Sequence, residues 1–215
     1  MADYSEGKYA DIAFDDYVIA RQEAIGAHNR VNDTVGGQDF EFRDGEVKLI
    51  RSAQHFFLST VTGAGWPYVQ HRGGPPGFVH VLNHKTLAFP EFQGNMQFVT
   101  AGNVDRDGRV CLFFVDYPTR YRLKVFGHAR FIEAGEDPEF EERIRDLGDS
   151  EIRAKIERIM VITVTATDKN CSKQIKPRYT EEQIQERLDL YRADIKELKN
   201  RVAELEAQLE SAQGN

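Results

Sequence analysis

The pattern that most constrains the fold is a series of short apolar or alternating runs between residues 55 and 132, each ended by turn residues. A period of two is typical of β-strands, and several short strands at close spacing favour an antiparallel sandwich or barrel. Six runs fit this description: 56–62, 67–71, 78–82, 86–89, 109–117 and 121–132. A seventh run, 159–167, is dense in β-branched residues, and we expect it to close the barrel.

Helices are expected before and between these strands. Asp15 and Asp16 can cap a helix through Tyr17–Ile25, and a second helix is predicted from Gly45 to Gln54, with Val47, Ile50 and Ala53 facing inward. A short helix is also expected within 91–104. The sequence therefore predicts a mainly β fold with flanking helices.

A turn rich in glycine and proline, His71–Phe78, joins the second and third runs. Proline fixes φ, whereas glycine permits positive φ and a close backbone approach. One interpretation is a plain hairpin connection. The other is a bare backbone that accepts an anionic ligand together with Arg72. The turn by itself does not decide between the two.

The C-terminal stretch carries a heptad pattern. Thr180 and Gln183 form the Thr-x-x-Gln pattern of a capping box. Apolar residues then recur at a strict 4-3 spacing, which we call the seam: Ile184, Leu188, Tyr191, Ile195, Leu198, Val202, Leu205 and Leu209. With Ile195 and Val202 at a positions and leucines at the neighbouring d positions, the seam predicts a parallel two-stranded coiled coil. The alternative is an amphipathic helix packed on its own domain.

Charge narrows the range of partners. The formal net charge of the 215-residue chain is -7, which argues against a nucleic-acid-binding surface. Residues 71–130 nevertheless hold eight Lys/Arg and only four acidic residues. A local basic cluster on an acidic chain favours a small anionic ligand over a polyanion.

The cysteine count and the apolar runs bear on the compartment. Cys111 and Cys171 are too few for a disulfide framework, so we expect a reducing, cytoplasmic setting. Residues 1–7 lack the basic start and apolar core of a secretory signal. No apolar run is long enough to span a bilayer, and no membrane association is expected.

An ordered set of stretches resembles a known family. The matching stretches are 57–61 with 65–67, 71–79, 86–90, 94–95, 102–103, 112–114, 122–127 and 170–178. Together they resemble the FMN-binding split-barrel family related to pyridoxamine 5'-phosphate oxidase, especially its flavin-nucleotide-binding branch. The resemblance implies a six-stranded antiparallel Greek-key split barrel that forms a homodimer with two FMN sites at the interface. The resemblance covers about residues 45–178, and with the heptad pattern the predicted division is an N-terminal arm and helix (1–44), the barrel (45–178) and the coiled-coil helix (179–215).

The resemblance also implies which residues bind FMN. These are Arg72, Asn95, Gln97, Asn103, Arg122, Lys124, Lys173 and Arg178. The chain departs from the family at Met96, where Arg or Lys often follows the Gly-Asn pair. Arg122 and Lys124 lie two residues apart and hence on one strand face. They could replace the missing cation, including across a dimer interface.

The function that follows from the resemblance is that of an FMN-dependent oxidoreductase acting on a small molecule, because in such proteins the flavin carries the hydride chemistry. The alternatives are a non-catalytic flavin carrier or sensor, and the same barrel holding haem or a deazaflavin. The sequence identifies neither a catalytic residue nor a substrate nor an electron donor. It predicts no metal site, since His80 and His84 fall in a strand and a turn and lack the helical spacing of ligands.

Overall fold

The computed structural model describes residues 8–27, 35–36, 40–145, 155–169 and 173–213. The chain divides into two compact units, residues 1–175 and residues 176–215. The division of the sequence at residues 44 and 178 stays a prediction. Cys171, and with it the start of the predicted basic stretch 170–178, lies outside the described residues.

Every run predicted as a strand is a strand. The strands of the described residues are β1 (Val35–Gly36), β2 (His55–Val61), β3 (Pro67–Gly73), β4 (His80–Asn83), β5 (Thr86–Phe92), β6 (Arg109–Asp116), β7 (Tyr121–Glu133) and β8 (Ile156–Lys169). They form one antiparallel sheet in the order β3-β2-β6-β7-β8-β5-β4, and β1 pairs with β8 off this path.

The predicted count of six strands is wrong, because seven strands lie on the main path and β1 adds a two-residue pair. The long strand β8 accounts for the difference. One of its sides pairs with β7, and the other pairs first with β5 and then with β1. The run at 159–167 is therefore a full member of the sheet beyond the six runs before residue 132.

The sheet is split between its two end strands, β3 and β4, which do not pair with each other in the described part of the chain. The turn after β3 is thus a crossing between the two ends of the sheet, and the interpretation as a plain hairpin is wrong. Phe78 in this turn is 1% exposed and stacks on Phe56, at 5.9 Å between ring centroids. Burial of this one aromatic ring anchors the crossing to the core.

Along each strand, side chains point alternately to the inside and the outside of the barrel, and this decides which of them fill the core. Phe56, Leu58 and Thr60 of β2 are buried, whereas the residues between them are half-buried on the outer face. The rings of Phe89 and Phe114 lie 5.1 and 5.0 Å from that of Phe56. Burial of such aromatic side chains is the main favourable term in the stability of the barrel.

Gly127 permits the bend of β7 against β8. The register of the pair shifts between Phe126 and Gly127, as it does at a β-bulge. A Cβ atom at position 127 would lie 2.5 Å from the carbonyl oxygen of Thr163. Only glycine allows the two backbones to approach this closely.

In the described ranges of the first unit there are five helices: α1 (Lys8–Ala13), α2 (Asp16–Ala24), α3 (Asp44–Ser52), α4 (Val99–Arg106) and α5 (Pro138–Arg145). The predicted cap of α2 is confirmed, since Asp15 accepts a hydrogen bond from the Val18 N–H at 2.9 Å. In α3 the inward residues are Glu46, Leu49 and Ile50. Of the three residues predicted to face inward there, Ile50 is fully buried, and Val47 and Ala53 are half-buried.

The second unit contains the helix α6 (Glu181–Gln213), 33 residues long. Its predicted capping box is confirmed. Gln183 N–H donates to Thr180 Oγ1 at 3.3 Å, and Thr180 N–H donates to Gln183 Oε1 at 3.1 Å. The two bonds satisfy backbone donors that have no partner within the helix.

Candidate functional site

A pocket opens between the edge strand β3, the end of β5 and the loop that leads into α4. It contains about 450 Å³ of empty space, counting the part open to solvent. Its lining consists of inward side chains of β3 (Tyr68, Gln70, Arg72), residues of β5 and β8 (Glu91, Phe92, Glu157), loop residues 94–98 and the first turn of α4 (Val99, Thr100, Ala101).

An ion pair inside this pocket joins the end strand β3 to β5, the neighbour of the other end strand, β4. Arg72 Nη2 of β3 donates to Glu91 Oε1 of β5 at 2.5 Å, and Arg158 Nε of β8 lies 3.8 Å from the other oxygen of that carboxylate. The side chains are mostly buried, at 18%, 9% and 13% exposure for Arg72, Glu91 and Arg158. Two guanidinium groups therefore share one carboxylate.

Burial raises the pKa of Glu91, and the charges of Arg72 and Arg158 oppose that shift without cancelling it. The neighbouring carboxylates Glu157 and Glu133 push the pKa further up. The Nε atoms of Arg72 and Arg158 are both buried and have no hydrogen-bond partner among the described residues. The cluster thus contains two buried N–H donors, Arg72 Nε and Arg158 Nε, beside the Glu91 carboxylate. That carboxylate protonates more readily than an exposed one.

The loop that leads into α4 has a constrained backbone. Met96 and Phe98 have φ values of 58° and 50°, a region that bulky residues rarely adopt. Phe98 is the N-cap of α4 and provides no side-chain hydrogen bond to the helix. The N–H groups of Val99, Thr100 and Ala101 precede the first bond within the helix, Gly102 N–H to the Phe98 carbonyl, and no side chain caps them. All three residues line the pocket. An uncapped helix N-terminus of this kind favours an anion.

Arg158 holds this loop in place from the outside of the pocket. Its guanidinium carbon lies 5.1 Å from the ring centroid of Phe98 and 5.4 Å from that of Phe131. A planar cation between two aromatic faces is attracted by both. Arg158 therefore links the carboxylate of the ion pair to the residue that begins α4.

A family model described as pyridoxamine 5'-phosphate oxidase matches residues 43–171 of the chain. The chain belongs to the pyridoxamine 5'-phosphate oxidase family. The match covers strands β2 to β8 and hence the whole lining of the pocket.

The chain is also similar, at low sequence identity, to several solved structures. The HupZ protein of Group A Streptococcus is 16% identical, with 65% of this chain and 100% of that chain covered and a TM-score of 0.47. An FMN-binding protein from Syntrophomonas wolfei is 13% identical, with coverages of 58% and 82% and a TM-score of 0.45. A Clostridium acetobutylicum protein related to general stress protein 26 is 14% identical, with coverages of 59% and 85% and a TM-score of 0.44. Among curated proteins, none matches this sequence significantly.

In this member of the pyridoxamine 5'-phosphate oxidase family, three predicted site residues meet in the pocket. Arg72, Asn95 and Gln97 all line it. The Asn95 side chain accepts a hydrogen bond from the Gln97 N–H at 3.2 Å, which shapes the loop. Asn103 lies on the buried side of α4, where its amide donates to Thr60 Oγ1 at 2.9 Å. It joins α4 to β2 and is not among the lining residues.

Arg122 and Lys124 lie on the other face of the sheet. Lys124 of β7 is directly opposite Phe113 of β6, and Phe113 is directly opposite Phe57 of β2. Arg72 of β3 is instead opposite Phe56, the buried neighbour of Phe57 in β2. Directly opposed residues share a face, so one chain does not bring Lys124 to the pocket of Arg72. Lys124 instead donates to Asp168 Oδ2 at 2.8 Å and lies 5.8 Å from the Tyr9 ring centroid. Burial alone would lower the pKa of Lys124, but Asp168 and Tyr9 together outweigh this effect and raise it.

Lys173 and Arg178 are exposed side chains, Lys173 in a turn after β8 and Arg178 in the second unit, ahead of α6. Their assignment to the cofactor stays a prediction, as does that of Arg122 and Lys124. Sequence reasoning also missed Glu91 and Arg158. The available signal was a charged residue within an otherwise apolar strand, where a buried partner is expected.

No helix of the described residues is long and apolar enough to cross a membrane. Within the same ranges, no cluster of three His, Cys, Asp or Glu side chains has the arrangement of a metal site.

Proposed function

We propose that this protein binds FMN with the phosphate in the pocket beside β3, and that it works as a homodimer that uses the flavin to transfer electrons to or from a small molecule. The observation that carries the proposal is the convergence of Arg72, Asn95, Gln97 and the N-terminus of α4 on one pocket.

The donors in the pocket suit a phosphate group. Arg72 supplies a charged guanidinium with a buried Nε that has no hydrogen-bond partner in the described parts of the chain. Backbone N–H groups of Val99 and Thr100 add neutral donors at the positive end of a helix dipole. The carboxylate of Glu91 partly neutralises the positive charge of Arg72. It also holds the Arg72 side chain toward β5 when no anion is bound.

Bound flavin supplies the hydride chemistry. The chain's own part is to hold the phosphate, to fix the position of the ring and to limit the access of water. The exposed Met96 and Phe98, 70% and 49% accessible at the mouth of the pocket, offer apolar surface for this purpose.

A second subunit would give a role to Arg122 and Lys124, the cations on the outer face of the sheet. Phe57 and Phe113 are only half-buried on that face, and Val69 of the edge strand is 59% exposed. Covering them with another barrel buries apolar area and brings Arg122 and Lys124 against the partner's flavin. The missing cation at Met96 is then supplied in trans.

The visible absorption spectrum of the purified protein, followed by FMN titration of the apoprotein, tests the proposal. We expect a flavin spectrum that bleaches with NAD(P)H without oxygen and returns in air. A flavin spectrum that NAD(P)H leaves unchanged supports a carrier or sensor instead, and a Soret band supports haem. Absence of a chromophore together with absence of FMN binding overturns the proposal.

Replacing Arg72 locates the phosphate. Arg72→Gln is expected to weaken FMN binding by about tenfold to a hundredfold, the loss of one or two charge-assisted hydrogen bonds. Arg130→Gln is the matched control, because Arg130 is exposed on β7 away from the pocket lining. Riboflavin, which lacks the phosphate, should bind both variants and the parent chain with equal affinity.

A further inference from the structure

The seam of α6 is exposed along the whole helix. Its eight apolar side chains range from 42% exposure at Leu188 to 65% at Leu198. Residues 184 to 209 span about 38 Å of helix at 1.5 Å per residue. An apolar stripe of this length on a soluble helix marks an interaction surface.

We propose that the seam pairs with the seam of a second copy of this chain in a parallel, in-register coiled coil. The 4-3 spacing matches the heptad repeat that a partner helix needs, and the two central heptads carry β-branched Ile195 and Val202 at a with Leu198 and Leu205 at d. That choice of a and d residues is the one that selects two parallel strands. The inference rests on α6 alone and does not depend on flavin binding.

The flanking charges select the parallel orientation. In parallel register Asp194 of one helix meets Lys199 of the other, and Arg201 meets Glu206, so each dimer contains two of each favourable pair. The antiparallel register that aligns all layers would retain a favourable contact of Asp194 with Arg201. It would also place Arg192 against Lys199 of the second helix, twice per dimer, which is repulsive.

One contact in the parallel register opposes pairing, that of Arg187 with Arg192 of the second helix. Both charges already have partners within their own helix or its entry segment. Arg192 Nη1 lies 2.8 Å from Asp189 Oδ1, and the Arg187 guanidinium lies 4.5 Å from the Tyr179 ring centroid. The Asp189 contact of Arg192 is the same in either register, so it does not favour one over the other. What favours the parallel register is the count of contacts, two favourable kinds against one repulsive kind, compared with one of each in the antiparallel register.

Parallel pairing has a consequence for the whole protein. It joins the two chains at equivalent points, so the two barrels experience a high effective concentration of each other. A tail of this kind sustains the pairing of barrels whose own contact is weak.

Cysteine cross-linking of the full-length chain tests both pairing and orientation. In a Cys171→Ser background, Leu209→Cys places one thiol at an a position near the end of the seam. In the parallel register the two introduced thiols are neighbours, and mild oxidation should convert most of the protein into a disulfide-linked dimer. In the antiparallel register they lie about 38 Å or more from each other. A chain that does not cross-link overturns the proposal.

Two matched variants control for chance collision. Adding Ile195→Asp and Leu198→Asp to Leu209→Cys should reduce cross-linking at least tenfold, because charges then occupy the central layers. Adding Leu190→Asp should leave cross-linking unchanged, since Leu190 is 68% exposed on the same helix but lies outside the seam. Equal cross-linking in all three chains would mean that the seam is not the contact. Circular dichroism confirms that α6 stays helical in each.

Discussion

The guanidinium of Arg158 lies over the ring of Phe98, at 5.1 Å from Cζ to the ring centroid, and Phe98 is the residue at which α4 begins. The same arginine reaches Glu91, the carboxylate that holds Arg72. One side chain thus fixes both the loop backbone and the ion pair of the pocket. Arg158 is a positioning residue in this arrangement, because it is not itself among the lining residues.

Arg158→Met is expected to lower the free energy of unfolding by about 1–3 kcal/mol, since it removes two cation–π contacts and a mostly buried charge that pairs with Glu91. FMN affinity should fall about threefold to tenfold, because Phe98 loses the contact that holds it at positive φ. Urea unfolding and fluorescence titration measure the two effects. Arg130→Met, at an exposed position, should change neither. Loss of stability with unchanged FMN affinity would show that Arg158 does not position the loop.

Glu91→Gln is expected to tighten FMN binding about tenfold at pH 7 or above, because a carboxylate next to the phosphate repels it and occupies Arg72. Burial raises the pKa of Glu91, so in the parent chain this carboxylate starts to protonate at a higher pH than an exposed one. The ratio of the FMN affinity of Glu91→Gln to that of the parent chain should therefore shrink as the pH falls toward the pKa of Glu91. Protonation of the FMN phosphate affects both proteins equally and cancels in the ratio. A ratio independent of pH contradicts the role given to Glu91.

Arg122→Ala combined with Lys124→Ala tests the contribution across the interface. If these cations reach the partner's flavin, FMN affinity should fall about tenfold or more. Lys124→Ala also leaves Asp168 without its 2.8 Å partner, so urea unfolding must accompany the titration. Asp168→Asn removes that same ion pair and keeps both cations, and it should retain FMN affinity. Unchanged FMN affinity in the double variant removes both residues from the cofactor site.

Cys111 should resist alkylation in the native protein. Burial raises the pKa of its thiol to about 11, so at pH 8 only about a thousandth of it is the reactive thiolate. Iodoacetamide labelling followed by peptide mass mapping should find Cys111 unmodified in the native chain and modified after unfolding in urea. Equal labelling rates in the two states would place this thiol on an accessible surface.

The types of the elements could be predicted because they depend on short-range pattern. The seven runs of β-pattern, the Asp15 cap and the Thr180–Gln183 capping box are all properties of a few consecutive residues, and the structure contains each of them. The strand count was wrong because it came from the family resemblance, whereas the runs themselves already numbered seven. The exposed seam likewise follows from spacing alone.

The candidate site could be predicted only in part. Asn95 and Gln97 are two residues apart on one loop, so their proximity is local, and Arg72 joins them through the fold. Asn103 belongs to the same segment, yet it faces Thr60, because the turn of α4 directs it to the core. The sequence motif alone does not reveal which side of α4 Asn103 occupies, because the motif spans the boundary between the loop and the helix.

The sequence by itself determined where strands and helices form, how two helices are capped and which face of α6 is apolar, because each depends on residues within one or two turns of the chain. Only the tertiary structure decided that Arg72 meets Glu91 and Arg158 across the split, and that Arg122 and Lys124 lie on the opposite face. These relationships depend on sheet order and register. Since side chains alternate with a period of two, an offset of one residue sends a cation to the other side of the sheet.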